Sequence, residues 1–178
     1  MDLNKLKFTK LEEDIIEFLF RNPTTTFNGK ELAIKLKVSQ TAINKSVRRL
    51  TKIELLELKK NVLLSIRLNR EDKDIFNLKK IFNLKEIYSS RIIEYLSEEF
   101  PSSTIILFGS YSNGYDTEES DIDICLIGYN QKSLNLKVFE KRLQRNVQVH
   151  FFKDINHADK NLKENLINGI VLAGAITL

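Results

Sequence analysis

A chain of 178 residues, 42% hydrophobic and 29% charged, has length for one domain or two small ones and enough apolar content to bury a core in each. No apolar run reaches the roughly 18 residues of a membrane helix, so no membrane partner is expected, and the first residues lack the apolar core of a signal peptide. A single cysteine excludes an internal disulfide and, with two distant histidines, a zinc cluster; a cytoplasmic location is the expectation.

The net charge of +4 is unevenly spread. Residues 30–70 hold 11 Lys/Arg against 3 Asp/Glu, whereas residues 76–178 hold 12 against 13. Affinity for nucleic acid is therefore expected in the first half.

Residues 11–20 carry Leu11, Ile15, Ile16, Leu19 and Phe20 at helical spacing with acids between, and Arg21-Asn22-Pro23 stops the pattern. Residues 24–28 read as a polar connector. Residues 29–36 predict a short helix with Leu32, Ala33 and Leu36 inward, and Lys37-Val38 a turn. Ser39 is a good N-cap for a helix running to about Lys52. That helix places Ile43, Val47 and Leu50 on one face, with Gln40, Thr41, Asn44, Lys45, Arg48 and Arg49 mainly on the polar side. Residues 54–58 and 62–68 read as two strands around a Lys59-Lys60-Asn61 turn.

This order of helix, helix, turn, helix and hairpin, with the run from Leu36 to Leu50, resembles the winged helix-turn-helix of bacterial and archaeal regulators. The resemblance implies that residues 1–70 bind DNA, the helix after Ser39 entering the major groove. Gln40, Thr41, Asn44 and Lys45 would then face bases, Arg48 and Arg49 phosphate or base, and Lys59 and Lys60 the backbone at the wing tip. Winged helices also serve protein–protein contacts, which is the competing reading.

Residues 71–74 form a charged break. Residues 75–100 return to helical spacing at Ile81, Leu84, Ile87, Tyr88, Ile92, Tyr95 and Leu96, a long run in which Asn77 and Asn83 mark expected breaks. We assign residues 71–83 to a linker or bridging helix, a candidate homodimer contact, and residues 84–178 to a second domain.

Two apolar runs of strand length, 105–108 and 122–127, flank a loop rich in Gly, Ser and Asn. Strand alternation puts Asp121 and Asp123 on one face and Ile122, Ile124 and Leu126 on the other, toward the core. Two adjacent carboxylates are costly unless a cation neutralises them, and their hard oxygens suit Mg2+ or Mn2+. Gly109, lacking a Cβ, lets a polyphosphate approach the backbone, and Ser110 adds a hydroxyl and an amide at a helix start. Such a turn beside such a pair points to metal-assisted phosphoryl or nucleotidyl transfer. Tyr111, Tyr115, Asp116, Glu118 and Glu119 read as residues of a solvated turn, and Cys125 as a small buried filler.

Gly109, Ser110, Gly114, Ser120, Asp121 and Asp123 match, residue for residue, the pattern Gly-Ser-x-x-x-Gly … Ser-Asp-x-Asp. Over residues 80–178 the chain thus resembles the minimal nucleotidyltransferases of the DNA polymerase β superfamily. The implied fold class is α+β: a winged helix-turn-helix followed by a polymerase-β-like α/β domain with a small mixed sheet. The resemblance implies that Asp121 and Asp123 are catalytic and hold Mg2+ or Mn2+. It implies that Gly109, Ser110, Gly114 and Ser120 bind an NTP, ATP foremost.

Residues 134–146 predict a basic helix and residues 147–152 a third strand, on which active family members usually carry a third Asp. Gln148 occupies that position here, with His150 two residues on and on the same face. Gln supplies no charge and cannot act as a base, although His150 could. Two functions therefore follow as expectations. One is a nucleotidyltransferase moving NMP from Mg-NTP to a hydroxyl of a protein or nucleic-acid acceptor, coupled to DNA binding. The other is a non-catalytic DNA-binding regulator whose degenerate transferase domain senses nucleotide or mediates dimerisation. Residues 154–168 predict a last helix, residues 169–174 an apolar run packed on the sheet, and residues 175–178 a short extended end.

Overall fold

Thr9 opens α1 (Lys10–Arg21) with a reciprocal cap: its hydroxyl accepts from the Glu12 amide, and the Glu12 carboxylate accepts from the Thr9 amide at 2.8 Å. The computed structural model describes residues 7–60 and 64–176, the side chains of Lys60 and His157 excepted. The chain divides into two units, residues 1–79 and 80–178.

In the first unit, Asn28 caps α2 (Gly29–Leu36) by accepting from Lys30 and Glu31, and Ser39 caps α3 (Gln40–Lys52) by accepting from Ala42. Both helices end as well as begin where the sequence places them. Lys37, in the left-handed region at φ 56°, turns the chain between them. Residues 27–28 are not connector: Phe27–Asn28 form β1, which joins β3 (Leu64–Leu68) and β2 (Leu56–Lys60) in an antiparallel sheet of order β1-β3-β2. The first hairpin strand begins two residues later than expected, because Glu54 at φ 64° turns the chain before it, and it runs on through Lys59 and Lys60, which pair with Ser65 and Leu64 instead of forming the expected turn. Asn61 of the expected turn and residues 62–63 of the expected second strand lie outside the described residues. Ile15, Leu19, Leu32, Ile43, Leu50, Leu55 and Ile66 are buried together under this sheet and helix trio, a winged helix-turn-helix.

One ionic contact locks α1 to α3. Arg49 donates through Nη1 to Glu12 at 2.8 Å and through Nη2 to the Lys7 carbonyl at 2.5 Å. Glu12 is 2% exposed, so its carboxylate depends on this guanidinium and on the Thr9 amide for its hydrogen bonds.

α4 (Lys73–Ser90) runs across the division between the units. It does not break at Asn77 or Asn83, as the sequence suggested. It ends where Arg91 adopts φ 68° and the Ser90 hydroxyl, donating to the Ile87 carbonyl, accepts the amide of Ile92 at the head of α5 (Ile92–Glu99). Then follow β4 (Thr104–Phe108), α6 (Gly109–Asn113), β5 (Ile122–Ile127), α7 (Lys137–Leu143), β6 (Val147–Phe152), a single 3-10 turn, α8 (Lys160–Ile167) and β7 (Ile170–Ala173). The expected helix over 134–146 is shorter. The one over 154–168 splits into the 3-10 turn at Ile155–His157 and α8, which Asp159 caps afresh. The final apolar run does not pack on the sheet but joins it.

The sheet order is β6-β5-β4-β7, with β5 and β6 parallel and the other pairs antiparallel. Alternation splits its side chains between two cores. Ile105, Leu107, Ile122, Ile124 and Leu126 pack with Ile87, Leu96 and Phe100. Ile106, Phe108 and Cys125 pack with Ile155 and Leu166. Burial pushes the Cys125 thiol up to about 12, so it stays protonated and inert, a filler.

Arg49→Ala removes the partner of a buried carboxylate. A hydrogen bond to a charged group, discounted for the half-exposed arginine, predicts a loss of about 1–2 kcal/mol in the first unit. Chemical denaturation of the full chain measures it; an unchanged transition would show that Arg49 carries no structural load.

Candidate functional site

Gly109 follows β4 directly and opens α6 at φ 74°, a backbone region that penalises residues with a Cβ. A Cβ there would also stand 2.6 Å from Asp123 Oδ2, so the Asp123 carboxylate would have to turn away to admit a side chain. The neighbouring residue Phe108 pairs with Asp123 across the β4–β5 ladder, which sets this approach. Gly114, at φ 76°, closes α6 by donating its amide to the Tyr111 carbonyl.

The loop between the two motifs is bound into a fixed path. Ser112 Oγ donates to the Gly109 carbonyl at 2.8 Å, and the Tyr115 amide to the Ser110 carbonyl at 3.0 Å. Ser120 Oγ accepts from the Thr117 amide at 2.9 Å, so this hydroxyl clasps its own loop. Ser110 is half-buried at the head of α6.

The solvated turn expected here is a correction. Tyr115 and Glu119 are exposed, but Tyr111 is 4% exposed and Asp116 wholly buried. Asn83 of α4, also buried, donates to the Tyr111 carbonyl at 2.9 Å and to Asp116 Oδ1 at 2.7 Å. Sequence reasoning missed both Asn83 and Asp116. The available signal was a polar residue on the inward face of a helix, one position after buried Phe82 and four before buried Ile87.

Asp121 lies just before β5 and Asp123 within it, both half-buried. The parallel register sets Asp123 against Gln148 and Cys125 against His150. Gln148 donates its amide Nε2 to Asp121 Oδ2, and Asn146 donates Nδ2 to Asp121 Oδ1 at 3.2 Å. His150 Nε2 is 3.4 Å from Asp123 Oδ1, and its ring meets Phe108 edge-on at 5.3 Å. Neutral amides thus hold the first carboxylate and an imidazole the second.

Among the described residues no cluster of three or more His, Cys, Asp or Glu is arranged to hold a metal ion. The donor set still suits one Mg2+ arriving with a nucleotide, since that ion keeps several waters and takes one or two carboxylates with substrate phosphates. It does not suit a second ion, which would need a further acid where Gln148 stands.

In the first unit, Gln40, Thr41, Asn44, Lys45 and Arg48 lie exposed along α3, and Lys59 is exposed on β2. Thr41, Asn44, Lys45, Arg48, Arg49 and Lys52 line an open hollow of about 530 Å³. Asn44 rests against Gly29, where a Cβ would come 2.9 Å from its Oδ1. Arg49 differs from its neighbours in being engaged with Glu12 and Lys7. The side chain of Lys60 lies outside the described residues.

A family model described as a nucleotidyltransferase domain matches residues 89–172, and one described as an HTH domain matches residues 12–62. The chain joins a nucleotidyltransferase domain to a helix-turn-helix domain. No curated protein matches it. Among solved structures, wild-type Lactococcus lactis ZitR in complex with DNA is similar at 19% identity and TM-score 0.40, over 54% of this chain and 64% of that one. The adhesin competence repressor AdcR from Streptococcus pyogenes is similar at 21% identity and TM-score 0.40, over 55% and 71%. A toxin-antitoxin with AMP-PNP is similar at 26% identity and TM-score 0.36, over 48% and 72%. The chain thus spans less than two thirds of the length of that DNA-bound wild-type ZitR chain.

Within the nucleotidyltransferase domain, the contact between Gly109 and Asp123 can be separated from backbone strain. Gly128 also has positive φ, at 106°, but a Cβ there meets nothing within 4 Å. Gly109→Ala is therefore expected to destabilise the domain more than Gly128→Ala, by about 1–3 kcal/mol of overpacking. Unfolding curves of the two variants make the comparison, and equal losses would remove the steric account.

Proposed function

We propose that the nucleotidyltransferase domain binds a magnesium-complexed NTP and transfers its nucleotidyl group to a hydroxyl of a protein or nucleic-acid acceptor, the α–β phosphoanhydride bond breaking and pyrophosphate leaving, and that the helix-turn-helix domain binds DNA. The close approach of Gly109 to Asp123 carries this reading. It sets the glycine backbone at the head of α6 directly against the second of two carboxylates, so that phosphate oxygens meeting this turn would lie beside the acid. In this reading Gly109 and Ser110 orient the terminal phosphates and Gly114 fixes the turn. Asp121 and Asp123 hold the ion, which supplies charge neutralisation at the phosphates. His150, beside Asp123, is the group positioned to take a proton from the acceptor hydroxyl.

A second reading is favoured by a specific observation. The Gln148 amide donates to Asp121 where the resemblance predicts a third acid. Retention of nucleotide binding without transfer would make the chain a DNA-binding regulator that senses nucleotide. ATP is the first nucleotide to try under either reading.

Incubation with each labelled NTP, Mg2+ or Mn2+ and cell extract separates them, with Asp121→Ala/Asp123→Ala as control. Label transferred by the wild type and not by the control supports the transferase. Metal-dependent NTP binding without transfer, lost in the control, supports the regulator. Neither binding nor transfer overturns both.

The DNA reading rests on the exposed face of α3 and the basic balance of residues 30–70. Lys45→Ala and Arg48→Ala are each expected to weaken duplex binding and, where phosphate is the partner, to lower the salt slope by about one unit. Titration at several salt concentrations measures both quantities. Failure of the wild type to bind any duplex at low salt would sink the proposal.

A further inference from the structure

We propose that Asn83 and Asp116 are positioning residues for the nucleotide, a buried amide–carboxylate pair that holds the loop between Ser110 and Asp121 in its receiving shape. The inference rests on the nucleotide reading above and deepens it. Asn83, Tyr111 and Asp116 all lie within the second unit.

An NTP bound at this site must meet Gly109 and Ser110 at one end of the loop and Asp121 at the other. The loop therefore sets the spacing of two groups that act on one ligand. Each end is closed locally, the first by Ser112 on Gly109 and Tyr115 on Ser110, the second by Ser120 on Thr117. Asp116 stands between these two closed turns. The Asn83 amide reaches both the Tyr111 carbonyl in the first turn and the Asp116 carboxylate after it, at 2.9 and 2.7 Å. One side chain on α4 thus spends its two N–H donors on two points of the loop.

Burial makes the arrangement selective. Asn83 is 1% and Asp116 0% exposed, and a carboxylate taken out of water is tolerated only in a geometry that satisfies it. A loop whose sole task is to join two strands needs no buried acid, as the half-buried Glu118 and the exposed Glu119 nearby illustrate. The pair penalises conformers that withdraw Asp116 from Asn83, and so raises the fraction of molecules with both motifs set for the ligand. When that fraction falls, the apparent dissociation constant rises by its inverse.

The test measures binding of a fluorescent ATP analogue with Mg2+ to the full chain, below the melting temperature of each variant. Asn83→Leu is expected to weaken affinity about tenfold or more, as a tenfold loss of the competent fraction requires. Asn83→Asp, which sets two carboxylates against each other, is expected to do at least as much. The exchange Asn83→Asp/Asp116→Asn again faces an amide with a carboxylate but leaves the Tyr111 carbonyl without that donor, so partial recovery over Asn83→Asp is expected. An Asn83→Leu variant that melts lower yet binds as the wild type does would reduce the pair to a structural role and overturn the inference. If Asn83→Leu does not fold, the same affinity for Asn83→Asp and the exchange would overturn it. A wild type that binds no nucleotide brings down the nucleotide reading itself, an outcome visible in that arm alone.

Discussion

The second unit is organised by a steric demand at one atom. Asp123 Oδ2 occupies the space that a Cβ at residue 109 would fill, and the β4–β5 register holds the two backbones close together. With this constraint go the positive φ at the head of α6, the immediate turn from strand to helix, and a glycine backbone set beside an acid. Both carboxylates then find partners on the next strand, Asp121 with Gln148 and Asp123 with His150, because β6 runs parallel to β5 in matching register. The chemistry open to the site is fixed by what that neighbouring strand offers. Here it offers an amide and an imidazole in place of a further acid.

The first unit depends on a different economy. Its helices are short, and each begins at a side-chain cap, so the ends are determined by Thr9, Asn28 and Ser39 rather than by length. Arg49 shows how a basic surface is divided between tasks. It belongs by sequence to the polar face of α3 and stays half-exposed there, yet it is engaged by a carboxylate on α1, as Lys45 and Arg48 on the same face are not. Counting positive charges would assign all three to the same partner.

What was legible in the sequence was local. The bounds of α2 and α3 were readable because their caps and apolar periodicity lie within the helices themselves. The Gly-Ser and Asp-x-Asp pair was readable because the residue types are demanded by close approach and by charge. Strands β1 and β7 were not, since two and four residues show no periodicity and are strands only through partners distant in the chain. The end of α4 at Ser90–Arg91 was hidden as well, because neither residue is a helix breaker by type. Asp116 was misread for the same reason in reverse: an acid in a polar loop is most often solvated, and the donor that Asn83 supplies to it lies thirty-three positions earlier.

The pairing of Ile105 with Ala173 bears on how the domain is assembled. The hairpin-like pair β4–β5 joins residues close in the chain, and its loop closure costs little conformational entropy. The β4–β7 ladder joins the first strand of the sheet to the last, across every intervening element, and belongs to the slow, non-local class of contacts. During synthesis the segment carrying Gly109, Asp121 and Asp123 is complete before β7 exists. Until then one edge of β4 is bare, with its amides and carbonyls available to any extended strand that comes by. Strand β7 therefore acts as a seal on a sheet whose open edge was built first.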